Sequence, residues 1–199
     1  MNTHERQPFA DSSPFDFVQL RRWSADEYHR MGAAGIFAEG EHVELIGGEI
    51  VTMAPKGRHH EVLRNELETH FGDNRAKRYK IGHEPPLQLS DYDEPEPDII
   101  VFPASLDIFE VRSDTVLLVV EVADSSLYHD LTTKCAMYAT HGIREFWVVN
   151  ARTRVTTVHR SPSANGYAEV TEVAPEQQLT PLLAPELAVR LMDLVIKAD

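Results

Sequence analysis

The chain has 199 residues, 42% of them hydrophobic, and this length and composition predict one domain with a sizeable buried core. No apolar run reaches the roughly 18 residues of a membrane span, and the single cysteine, Cys135, excludes an internal disulfide and a multi-cysteine zinc site. The formal charge of −13 is opposite in sign to the basic surface of most proteins that bind a phosphate backbone. The lone cysteine and the polar N-terminus, which lacks a secretory signal, favour a cytoplasmic location.

Helical and strand patterns predict a leader followed by one domain. Residues 1–22 are expected to form a flexible leader, and residues 23–199 a single domain. The first helix is predicted to begin at Ser24, because Glu27 completes a capping box with it. The elements predicted after this helix are a hairpin at 42–53, a helix at 58–71, one or two strands within 79–89, a strand at 98–102, a strand at 116–122, a helix at 129–141, a strand at 145–150, a hairpin at 154–173 and a final helix near 187–194.

Three consecutive elements, at 116–122, 129–141 and 145–150, form a predicted βαβ unit. Its two strands should be parallel, because a helix crosses over between them. Together with the antiparallel hairpins, this unit predicts an α/β fold in which a mixed β-sheet is flanked by helices.

Glu121 interrupts an otherwise apolar run from Val116 to Val122. An unpaired carboxylate in a buried strand would be strongly unfavourable. The side chain must therefore be paired, protonated, bound to a cation, or placed at the carboxyl end of the strand, where ligand sites of open α/β sheets lie. A strand-end ion pair with a lysine or arginine is the structural alternative.

Asp98 precedes the apolar run 99–102, where an ordinary turn aspartate is the structural alternative. Two carboxylates on neighbouring short strands repel each other unless a divalent cation lies between them. Mg²⁺ prefers a few carboxylate oxygens and also binds substrate phosphates. Asp98 and Glu121 are therefore expected to lie close together at one edge of a mixed sheet and to hold one Mg²⁺ or Mn²⁺ ion.

Lys134 lies one helical turn after Asp130, on the helix that follows the Glu121 strand. A surface salt bridge between the two is the structural alternative. In the functional interpretation, Lys134 orients or deprotonates the attacking water, or neutralises charge that develops on phosphorus. Lys134→Ala should then abolish cleavage while folding and Mg²⁺ affinity stay nearly intact. Tyr138, one turn further along the same face, either lines the site or packs in the core.

Two further residues are candidates to complete the metal shell. His60 lies at the start of the helix at 58–71, and Glu44 lies in the first hairpin. A lone histidine is more often capped or solvated, and the histidine spacing lacks the pattern of a zinc site.

These residues belong to segments that occur in a fixed order along the chain. The segments are 44–50 (ELIGGEI), 53–55 (MAP), His60, Pro97-Asp98, Glu121-Val122, Asp130, Lys134, Tyr138-Ala139 and 142–149 (GIREFWVV). In this order they resemble the Uma-type (Uma-two) family of restriction-endonuclease-like proteins, which belongs by fold to the PD-(D/E)XK nuclease superfamily. The resemblance extends from about Trp23 to Leu194.

The resemblance implies a restriction endonuclease-like fold and a Mg²⁺-dependent nuclease. The site residues that follow are Asp98, Glu121, Lys134, Glu44 and His60, with Asp98, Glu121 and Val122 as metal-ligating positions. The superfamily pattern has its lysine two residues after the acid, where this chain has Ala123. The resemblance implies that the lysine has moved to the following helix.

The stretch from Arg58 to Lys80 has six basic residues and four acidic ones, a local excess in an acidic chain. Lys and Arg contacts to phosphates supply most non-specific DNA affinity. DNA is therefore predicted to bind this stretch, with Arg75, Lys77 and Arg78 as the residues to test. A mixed, solvated helix face is the alternative.

The leading functional hypothesis is a Mg²⁺-dependent DNA endonuclease that hydrolyses phosphodiester bonds. The acidic charge favours an alternative, a non-catalytic nucleic-acid or protein-binding module that retains the nuclease fold. A metal-binding structural homodimer is a third hypothesis. The sequence leaves open DNA or RNA, single or double strands, homodimerisation, and a partner protein that supplies DNA recognition.

Overall fold

The computed structural model describes residues 20–195, so most of the predicted leader, residues 1–19, lies outside the described part of the chain. The chain contacts the first hairpin as soon as the domain begins. The Arg22 side chain donates to the Gly47 carbonyl at 2.7 Å, and the Trp23 N–H donates to the Gly48 carbonyl at 2.8 Å. None of the helices between residues 20 and 195 has the length and apolarity needed to span a bilayer.

The predicted first helix and hairpin are confirmed. Helix α1 (Ala25–Ala33) begins at the N-cap Ser24, where both hydrogen bonds of the capping box are present. Strand β1 (Val43–Ile46) pairs antiparallel with β2 (Glu49–Thr52). Gly47 and Gly48 connect them with φ of 61° and 79°, a conformation that is accessible to glycine without steric cost.

A mixed sheet forms the centre of the molecule, as predicted, and it has six strands. Its strands are β3 (Tyr79–His83), β4 (Ile99–Pro103), β5 (Leu118–Ala123), β6 (Glu145–Asn150), β7 (Thr156–Ser163) and β8 (Gly166–Val173). They lie side by side in chain order. The first hairpin does not join this sheet but forms a separate two-stranded sheet. Strands β5 and β6 are parallel, which confirms the predicted βαβ pairing, and the other neighbours are antiparallel. The second strand considered within 79–89 does not form, because the chain turns at Glu84, with φ of 45°, before two prolines.

Helix α2 (Arg58–Asn74) covers one face of the sheet. Its buried residues Leu63, Leu67 and Phe71 pack against Val120 and other apolar side chains of β4, β5 and β6. The N-terminal end of this helix lies beside the end of β4, because His60 contacts Asp98. Helix α2 therefore stabilises the sheet with its middle and reaches the strand ends with its first turn.

Helix α3 covers the opposite face and contains a π-helical turn. It consists of Leu127–His129 in α conformation, Asp130–Lys134 in π conformation and Cys135–Thr140 in α conformation. The pattern predicted the position of this helix but not its π turn. Tyr138 packs with Phe146 in the core on this face. Because side chains alternate along a strand, Glu121 also points to this face.

The final helix predicted near 187–194 is wrong. The chain there forms two short 3₁₀ turns, Pro185–Leu187 and Leu191–Asp193. Val189 lies between these two turns. Its backbone exchanges hydrogen bonds of 2.8 and 2.9 Å with the backbone of Leu179, so the two residues form a short antiparallel β-bridge. The leucines that suggested this helix are buried against helix α2 and the sheet, as their apolar spacing indicated. They are not, however, on one face of a helix.

Candidate active site

Asp98 and Glu121 lie opposite each other at the ends of neighbouring strands. The register of β4 and β5 pairs Ile99 with Val120, and its continuation by one residue places Asp98 across from Glu121, at a Cα separation of about 5 Å. Both side chains are 5% exposed. Both line a cavity of about 270 Å³. The pair lies in the middle of the sheet, at the carboxyl end of β5, because β4 and β5 are interior strands.

Asp98 is held by three donors. Lys56 Nζ lies 2.8 Å from Oδ1, while His60 Nε2 lies 3.0 Å and the Val122 N–H 2.7 Å from Oδ2. Lys56 also contacts Glu84 at 2.7 Å. Burial acts to raise the pKa of Asp98, but His60 and Lys56 outweigh it and lower this pKa to about 2. Asp98 is therefore a carboxylate over the whole physiological pH range.

Lys134 is buried between two glutamates. Its Nζ lies 2.9 Å from Glu121 Oε1 and 2.9 Å from Glu44 Oε1, and only 2% of its side chain is exposed. Tyr138 donates its hydroxyl to the same Glu121 oxygen at 3.0 Å. The salt bridge considered between Asp130 and Lys134 is replaced by these contacts, and Asp130 accepts from the Ser126 hydroxyl at 2.6 Å.

The charges around Lys134 are unbalanced. Burial raises the pKa of Glu121 well above its ordinary value, and the positive charge of Lys134 offsets this increase only in part. Burial lowers the pKa of Lys134, but the charges of Glu121, Glu44 and Asp130 raise it above its ordinary value. We therefore treat Lys134 as charged and Glu121 as a carboxylate that binds a proton, or another cation, more readily than usual.

Three buried polar atoms of the residues that line the cavity have no hydrogen-bond partner among residues 20–195. They are Oε2 of Glu44, Nδ1 of His60 and Nε2 of His129. Buried polar atoms in folded proteins are almost always hydrogen-bonded, so such atoms require an explanation. A ligand in the cavity that contacts Glu44 and His129 would provide one for those two residues.

The donor set fits a hard divalent cation in its chemistry. Carboxylate oxygens are the preferred ligands of Mg²⁺, and the free Oε2 of Glu44 and the surplus negative charge at Glu121 are both features that such a cation would relieve. The described residues contain no group of three or more His, Cys, Asp or Glu side chains already arranged around a metal position. A cation bound by Asp98 would lie near Lys56 Nζ, which is 2.8 Å from Oδ1.

The structure brings the sequence-predicted site residues to this one cavity. Its lining includes Glu44, His60, Asp98, Glu121, Val122 and Lys134. Tyr138 reaches the site through Glu121, while Cys135 on the same helix is half-buried and free. Sequence reasoning missed Lys56 and His129, because neither lies in a pattern that distinguishes a site residue from a loop lysine or a solvated histidine.

Three of the basic residues predicted to bind DNA, Arg75, Lys77 and Arg78, lie away from this cavity. Tyr79 pairs with Pro103 at the far end of β4 from Asp98, roughly 17 Å away along the strand. Beside it, the Arg78 guanidinium pairs with Glu186, and the Arg75 side chain donates to the Tyr79 carbonyl. Arg78 thus neutralises an acidic group of the protein, and Arg75 satisfies a backbone carbonyl. Both lie at the end of the sheet opposite to the cavity.

A family model and one solved structure agree with this architecture. The model described as "Uma2: Putative restriction endonuclease" matches residues 25–192. The fold is similar to that of a "putative nuclease belonging to DUF820" from Anabaena variabilis ATCC 29413, with a TM-score of 0.65 and 17% identity over 86% of this chain and 96% of that chain. The type IIG restriction endonuclease BpuSI matches with a TM-score of 0.39 and 12% identity, over 60% of this chain and 14% of that chain. No curated protein matches the chain.

The match to the family model covers most of the chain, and the first of the two structures shows the same fold over nearly its whole length. The resemblance noted in the sequence is thereby confirmed, and the fold predicted from it is correct. The chain belongs to the Uma2 family of restriction-endonuclease-like proteins and has the mixed α/β fold of that nuclease superfamily.

Proposed function

We propose that the protein is a DNA endonuclease that hydrolyses phosphodiester bonds with Mg²⁺ or Mn²⁺. One observation carries the proposal: Asp98 and Glu121 face the same cavity from opposite positions on neighbouring strands, with Lys134 Nζ 2.9 Å from Glu121. Two carboxylates and a lysine in one cavity provide ligands for a cation and a positive charge for a phosphate.

Lys134 is suited to contact a water molecule or a phosphate oxygen. An ammonium group has three N–H donors, and the contacts with Glu44 and Glu121 use two of them. The third donor is available to the substrate. Because the surrounding carboxylates favour the charged form, Lys134 acts as a fixed positive charge and hydrogen-bond donor.

The remaining residues orient the carboxylates. Lys134 and Tyr138 both bind Oε1 of Glu121, which fixes the side chain and leaves Oε2 without a hydrogen bond from the described residues. His60 and Lys56 keep Asp98 ionised. Asp98, Glu121 and Val122 are the positions proposed to hold the cation, with Glu44 beside them. When bound, such a cation would neutralise charge at the scissile phosphate and lower the pKa of water.

The alternative is a non-catalytic nucleic-acid or protein-binding module. It is favoured by the contacts of Asp98, whose two oxygens are both occupied by donors of the protein itself. In such a module Lys56 and Lys134 would replace the cation permanently. The two functions differ in whether the site takes up Mg²⁺ at all.

The test combines cleavage of supercoiled DNA with a direct measurement of metal binding. The wild-type protein should cut the plasmid with Mg²⁺ or Mn²⁺ and not with EDTA, whereas Glu121→Gln should be inactive. Glu169→Gln, at an exposed glutamate on β8, is the matched control and should cut normally. Calorimetry should show Mg²⁺ binding that Glu121→Gln weakens. Wild-type protein that neither cuts nor binds Mg²⁺ would contradict the proposed function and favour the binding module instead.

A further inference from the structure

The groups proposed to act on a phosphate are buried in the wall of a small cavity. Its volume of about 270 Å³ lies just below the usual range of ligand pockets, about 300–1,000 Å³. The groups proposed to act on the phosphate lie at its base, since Lys134 is 2% and Glu121 5% exposed. A nucleotide that is still stacked and paired in a duplex must leave the stack to reach such a depth.

An exposed aromatic residue lies between two residues of the cavity wall in the sequence. Tyr128, in the first turn of helix α3, is 82% exposed, while its neighbours Ser126 and His129 line the cavity. No ring of the described residues stacks on it. A single exposed tyrosine is common on protein surfaces, but one at this position is suited to stack on an unpaired base next to the nucleotide in the cavity.

A basic group lies at the mouth of the cavity, at the carboxyl ends of β5 and β6. Arg152 is 65% exposed, and its Nε donates to Oδ1 of Asp124, a residue of the cavity wall, at 2.6 Å. Its two Nη atoms have no partner among residues 20–195 and remain available to a phosphate. The His59 ring, 54% exposed, lies 4.0 Å from the other oxygen of Asp124. Asp124 thus holds the Arg152 guanidinium at the entrance.

The charge distribution also disfavours a duplex. A protein that follows duplex DNA neutralises many phosphates, whereas this chain has a formal charge of −13. Arg152 at the entrance matches the few phosphates of a short strand.

We propose that the substrate is single-stranded DNA, with one nucleotide in the cavity, an adjacent base stacked on Tyr128 and a phosphate bound by Arg152. This inference rests on the proposed function and specifies its substrate class.

The test measures binding and cleavage separately on the full chain. Fluorescence anisotropy in EDTA compares a labelled DNA strand of about 16 nucleotides with the same strand annealed to its complement. The single strand should bind at least tenfold more tightly. Tyr128→Ala should raise its Kd about tenfold, and Arg152→Ala should raise the Kd and reduce the salt slope by about 0.7. Phe109→Ala and Arg190→Ala, at an exposed phenylalanine and an exposed arginine outside the cavity wall, are matched controls and should bind like wild type.

Equal or tighter binding of the duplex would overturn the inference, as would Tyr128→Ala and Arg152→Ala variants that bind like their controls. If the protein cuts plasmid DNA but binds the duplex more tightly than the single strand, the proposed function stands and this inference is wrong. A protein that binds single strands through Tyr128 and Arg152 but cuts neither DNA keeps the binding surface and contradicts the hydrolase.

Discussion

The Nζ atom of Lys134 lies 2.9 Å from Oε1 of Glu121, although the lysine comes from a helix and the glutamate from the strand before it. At the position where the superfamily pattern has lysine, the chain has Ala123, which is buried in the same core as helix α3. Helix α3 packs on the face of the sheet to which Glu121 points, and Lys134 extends from this helix toward the glutamate. Under the proposed function Lys134 takes the place of the lysine of the pattern, and its burial has consequences for stability as well as for chemistry.

Replacing Lys134 should destabilise the protein, contrary to the expectation from the sequence that Lys134→Ala folds normally. The substitution leaves Glu44 and Glu121 buried without their cation, a change that typically costs about 3–5 kcal/mol. Cleavage should fall by about 10²–10³. Urea unfolding and plasmid cleavage, both measured where each variant is folded, check the two effects.

Arg160→Ala is the matched control for this prediction. Arg160 forms an ion pair with the buried Glu145 on the far part of the sheet, away from the cavity. The control should also lose stability, yet cleave at the wild-type rate when folded. If Lys134→Ala cleaved as well as Arg160→Ala, Lys134 would be a structural lysine.

Features that depend on residues adjacent in the sequence could be predicted, whereas features that depend on contacts between distant segments were missed. The hairpin at Gly47-Gly48 and the capping box at Ser24 depend on adjacent residues, so both could be predicted. Glu121 could be singled out because a carboxylate in an apolar strand is unfavourable alone. Lys56 could not, because its contact with Asp98 joins residues 42 positions apart. The final helix was wrong for the same reason, since the bridge between Leu179 and Val189 is non-local.

Asp98 should contribute stability that disappears in acid. Its pKa in the folded protein is about 2, below the ordinary value of 3.8. The ionised carboxylate therefore stabilises the fold fully above pH 3.8, and this contribution is lost as the pH falls through about 2. The difference corresponds to about 2 kcal/mol. The free energies of unfolding of wild type and Asp98→Asn should differ at pH 6 and converge near pH 2. Parallel curves would mean that Asp98 has the same pKa in the folded and the unfolded protein.

Charge reversal at the far end of the sheet should not affect DNA binding. Changing Arg75, Lys77 and Arg78 to glutamate alters charges roughly 17 Å from Asp98 along β4. We expect the Kd for a DNA strand and its salt dependence to change little, whereas Arg152→Glu at the cavity mouth should weaken binding. Titrations at several salt concentrations check this. A loss of salt dependence in the triple variant would instead support the surface first suggested by the sequence.

The π turn at Asp130–Lys134 should be necessary for activity but not for folding. Such a turn adds one residue to a helix and rotates the two parts of the helix relative to each other. Here the part after the turn is fixed by Tyr138 in the core, while the part before it carries His129 to the cavity wall. Deleting the exposed Thr133 should convert the turn into regular α-helix and move His129 and Asp130 out of position. Misplacement of this size costs about 10² in rate, whereas regular helical hydrogen bonds should keep the thermal midpoint near that of wild type. Thr133→Ala keeps the helix length and is the control, with normal cleavage expected. Plasmid cleavage and thermal unfolding of the two variants check the prediction, and a fully active deletion variant would show that the π turn does not position the site.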